Sequence, residues 1–564
     1  MMRAVRRCLW FTSVAALAFQ EAVAQRVIGA FEDATVVPRG SIRVSAGFSF
    51  AEAKERFATG HPGGAARGQR EPLGASFSFD SLGPNQLEIV REVVQPLRSL
   101  SGQSTLALSV GALSVAMRRD VRTVPFSVEA GLTSRITVGV LVPFVFVRND
   151  VAVLPGANGN IGLNPALSIP AARTRNGTVI SQIFAASARL RALLAACETD
   201  PSGSGCGTVN ANRQAALAFL TQTDAAAADI VTVYGDPATG GARFVPIVGS
   251  SLESAIFARL GAFNTVFQSF LGLPVDSLLI TARPVGATRL SVGDLNTVLS
   301  DSAFGVIAQP LGSAEHGHLG DIEVGAKVLL YDSFNASTSR RLARGTGLKV
   351  RLAAGAAYRF ATGMTMAPNA FTDVGTGDGA ADIEARGYLD LVFGDRFWQS
   401  AVVRVGMPQS YTTTVRIPDS GAFSFPAAYR EQLVTREPGS YFEAEWSPRL
   451  VLNDFFAVAG NYRYRRAEAD NYAGTFNVTD LSGAPLTLDA ATLGAFSEIE
   501  EQRAAIALSY STVGAYAARR SAAPLELTLA LARVLGGAGI PATTEVNLTL
   551  RVYHKVFGAN NLRR

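Results

Sequence analysis

Hydrophobic and polar residues alternate with a period of two in segment after segment of this chain. From Ser41 to Phe50 one face reads Ile42, Val44, Ala46, Phe48 and Phe50, and the other reads Ser41, Arg43, Ser45, Gly47 and Ser49. Near the far end Val546, Leu548, Leu550 and Val552 oppose Glu545, Asn547, Thr549 and Arg551. From Asp382 to Phe393 the apolar set is Ile383, Ala385, Gly387, Leu389, Leu391 and Phe393, against Asp382, Glu384, Arg386, Tyr388 and Asp390. From Asp321 to Tyr331, Ile322, Val324, Ala326, Val328 and Leu330 oppose Asp321, Glu323 and Lys327. Strand side chains point alternately to opposite faces, so each segment has one greasy side and one polar side. The rhythm predicts strands near 41–50, 72–82, 104–118, 122–131, 135–148, 319–332, 347–361, 379–393, 396–407, 440–449, 453–467, 497–514, 523–535 and 543–557.

Such segments could build a soluble sandwich or a membrane barrel. Hydrophobic residues make up 48% of the chain, yet beyond the N-terminal leader no run reaches the ~18 consecutive apolar residues of a membrane helix. Only helices and closed barrels satisfy their backbone hydrogen bonds inside lipid. An exported chain of alternating segments, each about ten residues long, therefore reads as a transmembrane β-barrel. The export signal is Met1 to Ala24: Arg3, Arg6 and Arg7, an apolar core from Cys8 to Phe19, and the small residues of Ala22-Val23-Ala24 before a cut at Gln25. Removing Arg3, Arg6, Arg7 and Glu21 from 51 basic and 46 acidic residues leaves 48 and 45, a net of +3. That balance gives no reason to invoke nucleic acid.

The connections sort by length. Short turns at 132–134, 394–395 and 448–453 alternate with long loops at 51–71, 149–318, 362–378, 408–439 and 468–496, the pattern of bacterial outer-membrane barrels with periplasmic turns and extracellular loops. Two connections break it: 333–346 is long for a turn and 119–121 is short for an outer loop. The segment 149–318 has helical spacing instead. Ile180, Ile183, Phe184, Leu190 and Leu194 form one stripe with Ser187 as its polar gap; Leu252, Ile256, Leu260, Phe263, Phe267 and Phe270 form another; Gln214 to Ile230 is alanine-rich. The predicted organisation is a signal peptide (1–24), a first part of the barrel (25–148), a helical insert capping the outer mouth or folded into the lumen (149–318), and a second part of the barrel (319–564). The fold class is all-β, a transmembrane antiparallel barrel of about fourteen strands, within a range of about 12–16.

Several segments resemble a known family. They are the hairpin Glu129-Ala130-Gly131-Leu132-Thr133-Ser134-Arg135 through Pro143, the stretch Leu319 to Lys327, Ala361-Thr362-Gly363, Gly375-Thr376-Gly377, the strand from Asp382, and the turn Phe393-Gly394-Asp395-Arg396. In order and spacing these are similar to the outer-membrane family labelled "meta-pathway of phenol degradation", distantly related to the FadL-like fatty-acid channels. The resemblance covers the middle of the chain. It implies a barrel and the uptake of small hydrophobic or aromatic compounds across the outer membrane, with membrane lipid, a small solute and the barrel-assembly machinery as partners. The chain departs from the pattern in its large insert and in its C-terminus, where Phe557 is followed by Gly558 to Arg564. The alternatives are a non-transporting scaffold barrel, an outer-membrane hydrolase and a soluble β-protein.

The inward face is charged. On parity, Glu323, Lys327, Arg351, Glu384, Arg386, Arg404, Glu443, Glu445, Arg463, Arg465 and Arg503 line the lumen. Charges face lipid only at high cost, so opposite signs are expected to pair across a watery interior, either bracing the barrel or tuning selectivity. Cys197 and Cys206, close together in an exported chain, are expected to form a disulfide. His316 and His318 would share a strand face, but no third ligand completes a metal site. Asp373, Asp378 and Asp382 fit no EF-hand, and Gly375 to Gly379 lacks the Lys-Ser/Thr of a phosphate loop. No Gly-x-Ser-x-Gly elbow or zinc-protease motif is found, so no enzyme activity and no cofactor is expected. Trp398, Trp446, Tyr462, Tyr464 and Tyr510 are expected in the aromatic girdles at the membrane surfaces.

Overall fold

The computed structural model describes residues 32–61, 64–274, 276–333, 348–394, 396–419, 425–517 and 519–556. The proposed signal peptide, most of the long 333–346 connection and the C-terminal residues after Val556 lie outside them. The alternating segments form β1 (Ser41–Ala53), β2 (Leu113–Gly131), β3 (Ile136–Pro155), β4 (Ala314–Leu319), β5 (Glu323–Asp332), β6 (Leu348–Arg359), β7 (Asp382–Phe393), β8 (Phe397–Pro408), β9 (Tyr441–Val451), β10 (Phe456–Ala467), β11 (Ile499–Ser511), β12 (Leu525–Ala538) and β13 (Thr544–Lys555). Neighbours pair antiparallel all the way round, and β1 closes the ring by pairing with both β13 and β2. At that seam the outward Val44 faces Val552 on one side and Val128 on the other. Closure leaves no free edge along the seam, as a lipid-embedded sheet requires.

The barrel has twelve wall positions, because β4 and β5 stack end to end in one of them: both pair with β3, and only β5 pairs with β6. This count corrects the fourteen expected segments in two places. Residues 72–82 are not a wall strand. Leu73, Phe77 and Leu82 instead turn down into a buried core shared with the helices, through a short 3-10 turn at Ala75–Phe77. The segments 104–118 and 122–131 are one strand, β2, whose Arg118-Arg119-Asp120 run imitates a turn. That run pairs with the last residues of β1 (Ala53 with Arg119), at the end of the wall, and the strand then continues past β1. The anomalous short outer loop at 119–121 disappears with it.

Outward and inward residues separate as the alternation demands. On β7, Ile383 is 43% exposed while its neighbour Glu384 is 2% exposed. Trp446 lies on the outer face, donating its ring N–H to Gln399 Oε1 at 2.6 Å. Trp398 departs from the expected girdle: its parity turns it inward, where it is buried against Val392. One end of the barrel carries the short turns at 132–135, 394–396 and 452–455, together with two longer connections after Asp332 and Ser511; the other carries most of the long connections and the helices.

The cap contains α1 (Val94–Ser101), α2 (Pro170–Thr199), α3 (Cys206–Ala211), α4 (Arg213–Tyr234), α5 (Ser251–Leu271) and α6 (Val292–Ser300). Ser250 opens α5 as an N-cap, its side chain accepting from Glu253 N. The α5 stripe packs inward as read, with Phe219 of α4 edge-on to Phe267 at 4.8 Å between ring centres. On α2 the buried stripe is Val179, Ile183, Ala186, Leu190 and Leu194, while Phe184 faces out. Ser187 lies on the buried face and is satisfied by Thr223 of α4 at 3.4 Å. The strand β3 runs past residue 148 to Pro155. There Val151 and Val153, with Leu113, Val115 and Met117 of β2, give the helices an apolar backing above the rim. The helices thus lean on strands that outrun their neighbours at the long-loop end of the barrel.

Candidate functional site

The barrel interior gathers the charges that parity assigned to it, on the strands from β5 to β11. Arg386 bonds Glu384 at 2.5 Å and Glu323 at 2.6 Å. Arg404 pairs with Glu443 and lies 2.6 Å from Glu445. Arg463 pairs with Glu501, and Arg503 with Glu545. Arg351 stands 3.5 Å from Asp332 and 3.7 Å from Asp390. Arg465 stacks over the Tyr441 ring at 4.8 Å, and that tyrosine donates to Asp382 Oδ2 and Glu384 Oε2. Gly406 makes room for it: a Cβ there would stand 1.9 Å from Tyr441 Cζ. The result is a continuous arc of ion pairs. Removing charges from water costs several kcal/mol per ion, so each depends on its partner being present.

Residues 32–40, ahead of β1, run inside the lumen and complete the arc. Glu32 reaches Arg404 at 3.1 Å and Arg386 at 3.9 Å. Lys327, stacked on the Tyr388 ring at 3.9 Å, donates to Asp33 O at 2.9 Å. Ala34 N donates to both oxygens of Asp390, and Val37 N to Thr137 Oγ1 at 2.8 Å. Gly131 is required here by close approach, since a Cβ would stand 2.2 Å from Pro38 O. Burial would raise the Glu32 carboxyl, but Arg404, Arg386 and Lys327 hold it well below the usual carboxylate range.

Two cavities flank this arrangement. The one nearer the turn end, about 160 Å³, is polar and neutral in balance, with Glu32, Asp33, Glu129 and Glu323 against Arg43, Lys327, Arg386 and Arg551. The one beneath the cap, about 60 Å³, is walled by Ala51, Ala53, Val121, Val145, Val147 and Val374, with Ile540 and Val534. Arg119, Glu501, Arg503 and Glu545 give it a polar side. It exceeds several-fold the ~10–15 Å³ that one water needs, so it can hold a guest larger than water, with apolar side chains on one side and charged ones on the other.

Parity therefore brought the expected charged residues together, and it also marked Arg43, Asp390, Glu545 and Arg551 as polar-face neighbours that complete the pairs. It gave no sign of Glu32 and Asp33, which belong to no strand, or of the Val374 loop. Cys197 and Cys206 are joined, with Cα atoms 5.3 Å apart, tying α2 to α3 in the cap, away from both cavities. His316 Nδ1 lies 3.3 Å from Asp373 Oδ1. Among the described residues no group of three or more His, Cys, Asp or Glu is arranged to hold a metal ion.

No protein-family model matches the sequence, and no curated protein does. The chain is similar to several solved structures. An outer membrane channel from Pseudomonas putida F1 is 9% identical with a TM-score of 0.40, covering 94% of this chain and 100% of that one. The P. putida toluene transporter TodX is 11% identical with a TM-score of 0.24, covering 98% and 96%. A Pseudomonas aeruginosa FadL homologue is 8% identical with a TM-score of 0.25, covering 98% and 100%.

Proposed function

We propose that this chain is an outer-membrane channel for small hydrophobic or aromatic solutes. The observation that carries the reading is the apolar cavity beneath the cap, set in a lumen that is otherwise charged and paired. A scaffold that needed only to be plugged could continue the ion pairs across this space. Here valines and alanines of β1, β2 and β3 hold it open instead. The closed ring and its outward apolar residues suit a bilayer, with the cap outside and the short turns toward the periplasm. Membrane lipid surrounds the wall, and the barrel-assembly machinery inserts it. The solute enters past the 360–381 loop, rests among Val145, Val147 and Val374, and leaves toward the turn end when residues 32–40 shift. No step requires a cofactor.

Uptake of a labelled aromatic hydrocarbon by intact cells tests this, because the outer leaflet is then the barrier. Cells carrying the protein are expected to take it up faster than cells lacking it. Val147→Arg fills the cavity with a long charged side chain and should slow uptake about tenfold or more. A second reading, a barrel that transports nothing, is favoured by the segment 32–40 and the ion pairs that fill the lower lumen. Equal uptake with and without the protein would select it.

A further inference from the structure

The wall is interrupted at Gly320-Asp321-Ile322, between β4 and β5. Above that point β6 has ended, and β4 pairs with β3 alone. The 360–381 loop stands in the missing place. Thr362 Oγ1 donates to Gly320 O at 2.8 Å and accepts from Ile322 N at 2.9 Å. Thr376 Oγ1 donates to Leu319 O at 2.8 Å. Between these arms the loop presents Val374, Gly375 and Thr376 to the apolar cavity, with Val374 packed on Val145 and Val147.

One buried side chain ties the two arms together. Asp321 Oδ1 accepts from Gly363 N, on the departing arm, at 2.8 Å, and lies against Gly377 on the returning arm. The arms cross so closely that a Cβ on Gly377 would stand 2.7 Å from Asp321 Oδ1, and one on Gly363 would stand 2.5 Å from Gly377 Cα. Asp321 is 3% exposed. The Asp378 carboxylate lies beside it and repels it; Arg359 of β6 attracts it. The clamp is therefore a charge-assisted bond to one arm and close packing against the other, around a buried carboxylate.

We propose that Asp321 is the latch of a gate: its carboxylate holds the crossing arms of the 362–379 loop over the apolar cavity, and solute passes when that clamp releases. The gate rests on the channel reading; the latch is a property of the loop alone and is read separately. Hydrogen exchange of the full chain in mild detergent, followed by mass spectrometry, reads the loop, and cell uptake reads the gate.

In Asp321→Asn, the amides of 362–379 are expected to exchange about tenfold faster, because a bond to a charged carboxylate is stronger than one to a neutral amide. Uptake should rise with them. Asp378→Asn removes the repelling charge beside Asp321, so exchange should slow. Retained heat-modifiability shows that both variants fold. Wild-type uptake together with unchanged exchange in Asp321→Asn would overturn the latch alone. Faster exchange with unchanged uptake would overturn the gate. No wild-type uptake above protein-free cells would overturn the channel reading and the gate with it.

Discussion

The arc of wall from β5 to β11 and the arc from β1 to β3 obey the same alternation, yet they use the lumen in opposite ways. On the first arc the inward positions are Glu323, Glu384, Arg386, Arg404, Glu443, Glu445, Arg463, Glu501 and Arg503, all ion-paired and mostly buried. On the second, toward the cap, they include Ala51, Ala53, Val121, Val145 and Val147, which leave space. Alternation decides which side a residue faces. What the side does depends on whether its neighbours can satisfy charge or only exclude water. The charged arc is braced by its ion pairs, and the other arc leaves an apolar wall facing a cavity.

The largest separation of the two arcs should come from paired substitutions. Arg404→Leu removes the cation shared by three carboxylates, those of Glu32, Glu443 and Glu445, inside the barrel. It should cost about 3–5 kcal/mol in urea unfolding from micelles. Val147→Ala removes two methyl-sized groups beside an existing cavity and should cost about 1–2 kcal/mol. Equal costs would mean that the arcs do not differ as described.

A smaller effect sharpens the boundary between them. Glu32→Gln weakens the hold on residues 32–40 and should raise ion conductance in planar bilayers. The pH dependence has a definite sign. A carboxyl whose folded pKa is depressed contributes stability above its unfolded value, about 4.3, and loses it only as pH falls through the lower folded value. Wild-type conductance should therefore stay flat between about pH 5 and 8. A rise on moving from pH 7 to pH 5 would show that these pairs do not hold the segment.

Much of this was legible in the sequence because period-two alternation survives in most wall strands; the short β4, Ala-Glu-His-Gly-His-Leu, lacks it and fell inside the expected insert. The polar faces of β5 and β7 named their lumen charges directly. Where the lipid constraint lapses, so did the reading: the Arg118-Arg119-Asp120 run lies at the end of the β1–β2 pairing, and it split one strand into two. Residues 72–82 alternate well enough to look like a strand, yet their apolar side chains serve the helical core. The apolar cavity needed three dimensions, since Val147 and Val374 meet only when the 360–381 loop folds back over β3. Glu32 and Asp33 precede the first strand and carry no periodic signal at all.

The central claim is that the apolar cavity beneath the cap is the solute site. Anomalous diffraction from crystals soaked in bromobenzene tests it most directly. The account predicts a bromine peak among Val145, Val147 and Val374 that is lost in Val147→Arg. A peak confined to the polar cavity around Glu32 and Lys327, or none inside the barrel, would contradict it.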